Sequence, residues 1–324
     1  MMMLAPTVPA LPVLARPRDE LLHLLDQRAV DRERVTRAVE SDVALVLACL
    51  ALANRAVSGL PEIGGVRAAL AVISPAQLAN VVSHTAVFDF FDVSASRALT
   101  AQRLALHAAS VQRMAGRLAP EREDEQLDEL ATAALLHDVG KLALPPPGQA
   151  VHDRDACTPE ERLRAERLEL GVDHAAFGGA LARSWNLPER LAEAIETHHS
   201  DDAEGNAAIV RVADMLTHHR HGNPIDLDML LRAGQRLGFS RGGLGSILYD
   251  VAEPSTAAPA ACPLSGRERE VLHRLSDGRT YKQIGLDLGI STSTVRGHLH
   301  RIYVKLGVVD RAQAVLLASR LGWI

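Results

Sequence analysis

Apolar residues recur three and four positions apart along almost the whole 324-residue chain, and stretches that alternate apolar and polar residues are scarce. A helix repeats every 3.6 residues and a half-buried strand every two, so this pattern prescribes an all-α architecture. Candidate helices cover Asp19 to Ala29, Arg32 to Glu40, Asp42 to Val57, Pro75 to Phe91 and Ser96 to Leu118. Others open near Leu127, Pro159, His174 and Pro188, and the series continues over Ala207 to His219, Asp226 to Leu237 and Gly242 to Val251. Ser74-Pro75 and Thr158-Pro159-Glu160-Glu161 are strong start signals, because the hydroxyl caps free N–H groups and proline is tolerated in a first turn.

The longest apolar run, Val43 to Ala53, falls short of the roughly 20 residues that a membrane span needs. The apolar first 15 residues are interrupted by Pro6, Pro9 and Pro12 without a preceding cationic segment, so no secretory leader is expected and the cytoplasm is the expected location. Cys49, Cys157 and Cys262 are odd in number and far apart, which argues for reduced thiols rather than a disulfide framework.

Charge divides the chain. From Leu264 to Ile324 ten Lys and Arg face five Asp and Glu, net +5, whereas the remainder carries 25 against 35, net −10. A basic tail on an acidic body points to a polyanionic partner for the tail. Pro, Ala, Ser and Thr crowd together between Ala252 and Pro263 without helical periodicity. The expected organisation is a flexible N-terminus (1–7), a helical body (8–251), a linker (252–263) and a small basic domain (264–324).

Within the body, Leu135-Leu136-His137-Asp138-Val139-Gly140-Lys141 sets an imidazole beside a carboxylate at the end of an apolar helical run. Ionisable groups out of water are costly unless paired, hydrogen-bonded or metal-bound, so this pair needs partners. His107 lies in an apolar helical neighbourhood, His174 follows the helix cap Asp173, His198 and His199 close a helix, and Asp214 stands among Ile209, Val210, Val212, Ala213 and Leu216. His107, His137, Asp138, His174, His198, His199 and Asp214 are therefore the candidate metal ligands. Imidazole and carboxylate donors suit iron, manganese or zinc. Such a metal would activate water, and Lys141 is the candidate cation for a phosphate oxygen, which together is the chemistry of phosphate-ester hydrolysis. The same residues also read as a buried hydrogen-bond network that only shapes the fold. Gly140 is expected to end its helix in a left-handed conformation.

The order His107, His137-Asp138, Asp214 resembles the HD superfamily of metal-dependent phosphohydrolases. Asp42…Asn54, Leu135 to Lys141, Gly171-Val172-Asp173-His174-Ala175-Ala176-Phe177-Gly178, Trp185-Asn186-Leu187-Pro188 and His198-His199 look more specifically like the HDOD (HD-related output) domain, over roughly residues 8 to 240. The resemblance implies an all-helical domain related to cyclic-di-GMP phosphodiesterases and found in bacterial signalling proteins. It also implies a regulatory more than a catalytic role, since activity is not established for that family and the chain lacks a Gly-Tyr-Pro motif after His198-His199.

In the tail, Ser265…Glu268, Thr280…Gln283 and Asp310…Gln313 have capping-box or similar spacing, Ser291 opens a third helix, and Gly278, Gly289 and Gly307 supply stops. Val295, Leu299, Ile302 and Leu306 line one face of that third helix. The tight turn before it is the helix-turn-helix arrangement, whose second helix enters the major groove. Arg296 and His300 are placed to meet bases or phosphates, and Lys282, Thr292, Arg301 and Lys305 to hold the backbone. Leu264 to Leu272, Ile284 to Ser291, Thr294 to His298 and Lys305-Leu306-Gly307 resemble the LuxR-type (NarL/FixJ-type) DNA-binding domain. That resemblance implies DNA contacts at Arg296, Gly297 and His300 and a fourth, dimerising helix from about Arg311 to Leu321.

The combined expectation is a bacterial transcriptional regulator that binds double-stranded DNA as a homodimer. Its HDOD-like body is a sensing or interaction module for a metal, a nucleotide or a signalling protein. The alternative is a metal-dependent phosphohydrolase with a DNA-binding tail.

Overall fold

The computed structural model describes residues 11–27, 29–56, 62–88, 95–119, 121–144, 158–249, 262, 264–276, 279–306, 314–315, 318 and 323. The chain forms two compact units, Met1–Tyr249 and Asp250–Ile324. Helices dominate both, and the only extended pairing among the described residues is an isolated bridge between Val13 and Val87.

The first unit opens with α1 (Ala15–Leu25), α2 (Arg32–Glu40), α3 (Val43–Ala56), α4 (Val66–Val72) and α5 (Pro75–His84). Helix α3 is its buried axis, with Leu45, Val46, Leu47, Leu50 and Ala53 all at most 1% exposed. Asp42 starts this helix by accepting from the amides of Ala44 and Leu45 through Oδ1, while Oδ2 accepts from Leu14 N at 2.8 Å. One carboxylate thus fixes both the helix start and the entering chain. Asn54, near the other end of α3, exchanges two hydrogen bonds with the backbone of Ile63. Asp42 and Asn54, which carried part of the family resemblance, therefore act as clips on the chain at either end of α3.

The rest of the unit comprises α6 (Ala95–Leu118), α7 (Asp124–Leu136), α8 (Gly140–Ala143), α9 (Pro159–Leu170), α10 (His174–Ser184), α11 (Glu189–Thr197), α12 (Gly205–Arg220), α13 (Leu227–Arg236) and α14 (Arg241–Tyr249). Helices α6, α7 and α12 pack on one another, α10 packs against α11 and α8, and α11 reaches α7 and α12. Apolar faces drive this packing. Leu135, Leu136, Leu191, Ile195 and Leu216 are fully buried, and truncating any of them to alanine would cost about 2–5 kcal/mol. Local signals set the ends. Thr158 and Ser74 form full capping boxes with Glu161 and Gln77, Asp173 and Asp226 cap α10 and α13, and Gly171 closes α9 at φ 77°.

Several expected boundaries differ. Helix α1 begins at Ala15 instead of Asp19, because Pro17 falls in its first turn, where a missing N–H removes no bond. Helix α5 stops at His84, seven residues before the expected Phe91, since the chain turns extended at Thr85 so that Val13 can pair with Ala86 and Phe88. Helix α4 was not expected at all. Its free N–H groups at Arg67 and Ala68 are capped by Asp128, about sixty residues away, so no local residue announces it. Gly140 does not end a helix in a left-handed conformation, and is absent from the glycines with positive φ. It opens α8, and a Cβ there would lie 2.0 Å from the His174 carbonyl oxygen. The residue is small because two backbones meet.

No single helix among the described residues is long and apolar enough to cross a membrane; α4 and α5 together reach that composition but bend by 112° at their break. Cys49 is buried, and burial pushes its thiol up to about 12, which leaves it unreactive at neutral pH. Cys157, the Pro145–Pro147 stretch, residues 1–7 and all of the expected linker except Cys262 lie outside the described residues.

The second unit contains α15 (Gly266–Ser276), α16 (Tyr281–Leu288) and α17 (Thr292–Leu306) around Val271, Leu272, Leu275, Ile284, Val295, Leu299 and Ile302. Thr280 and Gln283 form the capping box that opens α16, and Gly289 closes it at φ 64°. Ser291 Oγ accepts from Thr294 N at 3.1 Å, so α17 starts within three residues of that stop. Of the expected fourth helix only positions 314–315 and 318 are described; they are helical, with Ala314 and Ala318 fully buried.

Candidate metal centre and nucleic-acid interface

Five helices deliver the candidate ligands to one place. His107 comes from α6, His137 and Asp138 from the end of α7, His174 from the first residue of α10, His198 and His199 from the end of α11, and Asp214 from α12. Their donor atoms fall into two groups, each within 4.8 Å: Asp138, His174, His198 and His199, and His107, His137 and Asp214. Asp138 stands between them. Its Oδ1 faces His174 Nε2 at 3.0 Å and His198 Nε2 at 3.9 Å, and its Oδ2 faces His137 Nε2 at 3.4 Å and His107 Nε2 at 3.9 Å. Asp214 Oδ1 lies 2.9 Å from His107 Nε2 and 3.8 Å from His137 Nε2.

The imidazoles are held by their outer nitrogens. His137 Nδ1 meets Ala134 O at 2.8 Å and His198 Nδ1 meets Ile195 O at 2.7 Å, while His174 Nδ1 meets Glu166 Oε2 at 2.6 Å. A carbonyl or carboxylate only accepts, so each Nδ1 donates and, in the neutral ring, each Nε2 carries a lone pair pointing inward. His137 Nε2, His198 Nε2 and Asp138 Oδ1 are all buried without a hydrogen-bond partner. An orphaned buried polar atom costs about 1–3 kcal/mol, and here three converge with an acceptor-rich interior. That is the arrangement a cation resolves, with outer hydrogen bonds that orient the ligands as metal-binding histidines require.

Electrostatics agree. Burial would raise the Asp138 carboxyl, but Lys141, His137 and His174 hold it well below the usual carboxylate range; Asp214 is likewise held low against burial by His218 and His107. Burial lowers His198 to about 3 and takes His199 well below its ordinary value. Burial also pushes His137 down, yet the Asp138 charge outweighs it and raises its pKa. Two ionised carboxylates and neutral imidazoles at 198 and 199 are the protonation states that coordination needs, whereas His137, raised by Asp138, would have to release its proton to a bound cation. Lys141 Nζ lies 2.5 Å from Asp138 Oδ2, and the side chains of Lys141 and His107, 19% and 15% exposed, form the solvent-facing edge.

Two participants escape sequence reading. His218, one turn after Asp214 on α12, lies 3.3 Å from Asp214 Oδ1, and burial lowers it to about 4. The i, i+4 spacing was the available signal. Glu166 on α9 accepts from both the backbone N and the Nδ1 of His174, and nothing local marks it.

In the second unit Lys282, Thr292, Arg296, Arg301 and Lys305 are exposed and Gly297 is half-buried, whereas Val295, Leu299 and Ile302 face the core. The side chain of His300 lies outside the described residues. Lys305 is already engaged, with Nζ 2.7 Å from Oε2 of the buried Glu268, and Arg301 Nε lies 4.0 Å from the same carboxylate. Glu268 also accepts from Ser265 N at 2.8 Å, so it ties α15 to α17.

Comparison with known proteins places these two units. The HDOD domain model matches residues 10–201, and the model for bacterial regulatory proteins of the luxR family matches residues 262–318. The probable transcriptional regulatory protein NarL of Mycobacterium tuberculosis is 52% identical over 64 residues, 20% of this chain and 30% of that protein. The transcriptional regulatory protein DesR of Bacillus subtilis is 40% identical over 63 residues, 19% and 32% of the two chains. The chain thus spans about a third of the length of the curated relatives it matches. Among solved structures, the MmoQ response regulator of Methylococcus capsulatus aligns at a TM-score of 0.55 and 19% identity, covering 77% of this chain and all of that one. A virulence factor of Campylobacter jejuni aligns at 0.55 and 21%, covering 74% and 91%. These two likenesses speak to the fold alone. The chain belongs to the HDOD domain family, and its C-terminal unit is a luxR-family regulatory domain.

Proposed function

We propose that this protein is a sequence-specific, DNA-binding transcriptional regulator whose HDOD body holds a divalent metal and works as its sensing or interaction module. The observation that carries the regulatory reading is the 64-residue stretch that is 52% identical to NarL, in a unit whose α16–turn–α17 leaves Arg296 and Thr292 exposed on the polar face of α17. In this reading Arg296, Gly297 and His300 meet bases, and Lys282, Thr292, Arg301 and Lys305 position the protein on phosphates. The regulator acts as a homodimer on DNA in the cytoplasm.

The body's part rests on the orphaned donors. His107, His137, Asp138, His174, His198, His199 and Asp214 would hold a divalent ion, iron, manganese or zinc. When bound, such a group supplies Lewis acidity and an activated water. Glu166 and the carbonyls of Ala134 and Ile195 aim the imidazoles, and Lys141 balances Asp138 or a phosphate oxygen. The position of Lys141 at the exposed edge favours a second reading, a metal-dependent phosphohydrolase with a DNA-binding tail. In the regulatory reading the same centre receives a metal, a nucleotide or a signalling protein.

Two measurements test this. Metal analysis of protein purified without oxygen should find metal in the parent and none in His137→Ala/Asp138→Ala, and absence from the parent after reconstitution would remove the centre. Selection from random duplexes should return a defined site, with Arg296→Ala weakening it by about 1–3 kcal/mol. Failure to enrich any sequence would remove the regulatory reading.

A further inference from the structure

A second polar site lies in the same unit and shares no residue with the metal centre's donors. Asp201, Arg211, Arg232, Gln235 and Arg236 line a cleft of about 430 Å³ between α12, α13 and the loop after His199. That volume falls within the roughly 300–1,000 Å³ typical of small-molecule sites. Its lining is cationic. Arg211 is 5% exposed at its side chain and is fixed by the Ser200 carbonyl and by Asp201 Oδ1 at 2.6 Å. Arg232 and Arg236 stand one turn apart on α13, so both guanidinium groups reach the same opening. Arg232 has no ion-pair partner among the described residues, and Arg236 reaches only Asp202, at 3.7 Å.

The opposing carboxylates are weak competitors. Asp201 and Asp202 are 69% and 94% exposed, so either carboxylate can turn back into water, and the Arg236–Asp202 pair, exposed on both sides, is screened by water and salt. A buried, pre-aimed guanidinium with two exposed ones across an opening is the pattern that planar, bidentate recognition of phosphate requires. We propose that this cleft binds a small phosphate-bearing polyanion with at least two linked phosphates, gripped by Arg211, Arg232 and Arg236. The ligand takes the place of Asp201 and Asp202 at the mouth and rests on the loop that follows His199.

The test is calorimetric titration of the metal-free full chain in EDTA with inorganic pyrophosphate, beside two variants. The expected result is saturable binding at one site per chain, retained in His137→Ala/Asp138→Ala and weakened about tenfold or more in Arg232→Ala/Arg236→Ala. Circular dichroism and melting of the arginine variant should match the parent, since both side chains are exposed; Arg236→Gln alone should still weaken binding if the double variant fails to fold. Absence of saturable binding overturns the proposal. Binding that survives the arginine changes also overturns it, by assigning the anion to the basic C-terminal unit. Loss in the His137→Ala/Asp138→Ala variant overturns it as well, by assigning the anion to the metal centre.

Discussion

Replacing Gly140 with alanine tests how the histidine–aspartate cluster is built. The new Cβ would sit 2.0 Å from the His174 carbonyl oxygen, 2.9 Å from its carbonyl carbon and 3.0 Å from Gly178 N, and all three are backbone atoms. Ordinary contact begins at 3.4 Å, so α8 and the first turn of α10 must separate by about 1.4 Å, with no side-chain rotation to absorb the change. Overpacking of this kind costs about 1–3 kcal/mol, and a backbone-on-backbone clash belongs at the upper end. For a unit of this size about 3 kcal/mol lowers Tm by roughly 6–12 °C. The same displacement draws His174 Nε2 away from Asp138 Oδ1, now 3.0 Å apart, so metal content should fall as well. Thermal melting and metal analysis of Gly140→Ala are the assays. Gly116→Ala is the control, because its Cβ meets nothing within 4 Å at an exposed position of α6 and should stabilise by about 0.5–1 kcal/mol. A Gly140→Ala protein that melts within about 2 °C of the parent and keeps its metal would refute the close-approach argument.

Two further outcomes concern the C-terminal unit. Burial raises the Glu268 carboxyl, but Lys305 and Ser265 outweigh it and hold the group at about 2, against an ordinary 4.5. A carboxyl depressed in the folded state stabilises fully above the unfolded value. Hydrogen-exchange protection of α15 and α17 should therefore decline as pH falls from about 4.5 toward 2, and Glu268→Gln should flatten that decline. Lys305→Ala separates scaffold from DNA contact: leaving Glu268 short of a partner should cost about 1–3 kcal/mol in melting, whereas a phosphate contact would instead lower the salt slope of DNA binding by about one.

What the sequence disclosed follows the range of each interaction. Capping boxes at Ser74, Thr158 and Thr280 act within one turn, and the helices they open begin where expected. His107, His137, Asp138, His174, His198, His199 and Asp214 were recognisable because residue type and order carry the chemistry, and the fold brings them within ligand distance. Glu166 was not, since its role depends on how α9 lies against α10. Asp128 hid α4 for the same reason, by capping it from about sixty residues away. Gly140 misled, because a glycine needed for close approach and one needed for positive φ look identical in a sequence. The pairing of Lys305 with Glu268 was not legible either, because it joins α17 to α15 across 37 positions of sequence.

The hydrogen bonds of His137 and His198 give the ends of α7 and α11 a task of their own. Ala134 and Ile195 fall among the last four residues of their helices, whose carbonyls have no amide left to accept from within the helix. Each ring turns back onto its own helix to fill that vacancy, so its aim is set by a rigid local jig and not by neighbours that move. Lengthening either helix by one turn would hand the carbonyl to a backbone amide and set the imidazole loose. In this protein the place where a helix stops is therefore as much a part of the cluster's geometry as the histidine it carries.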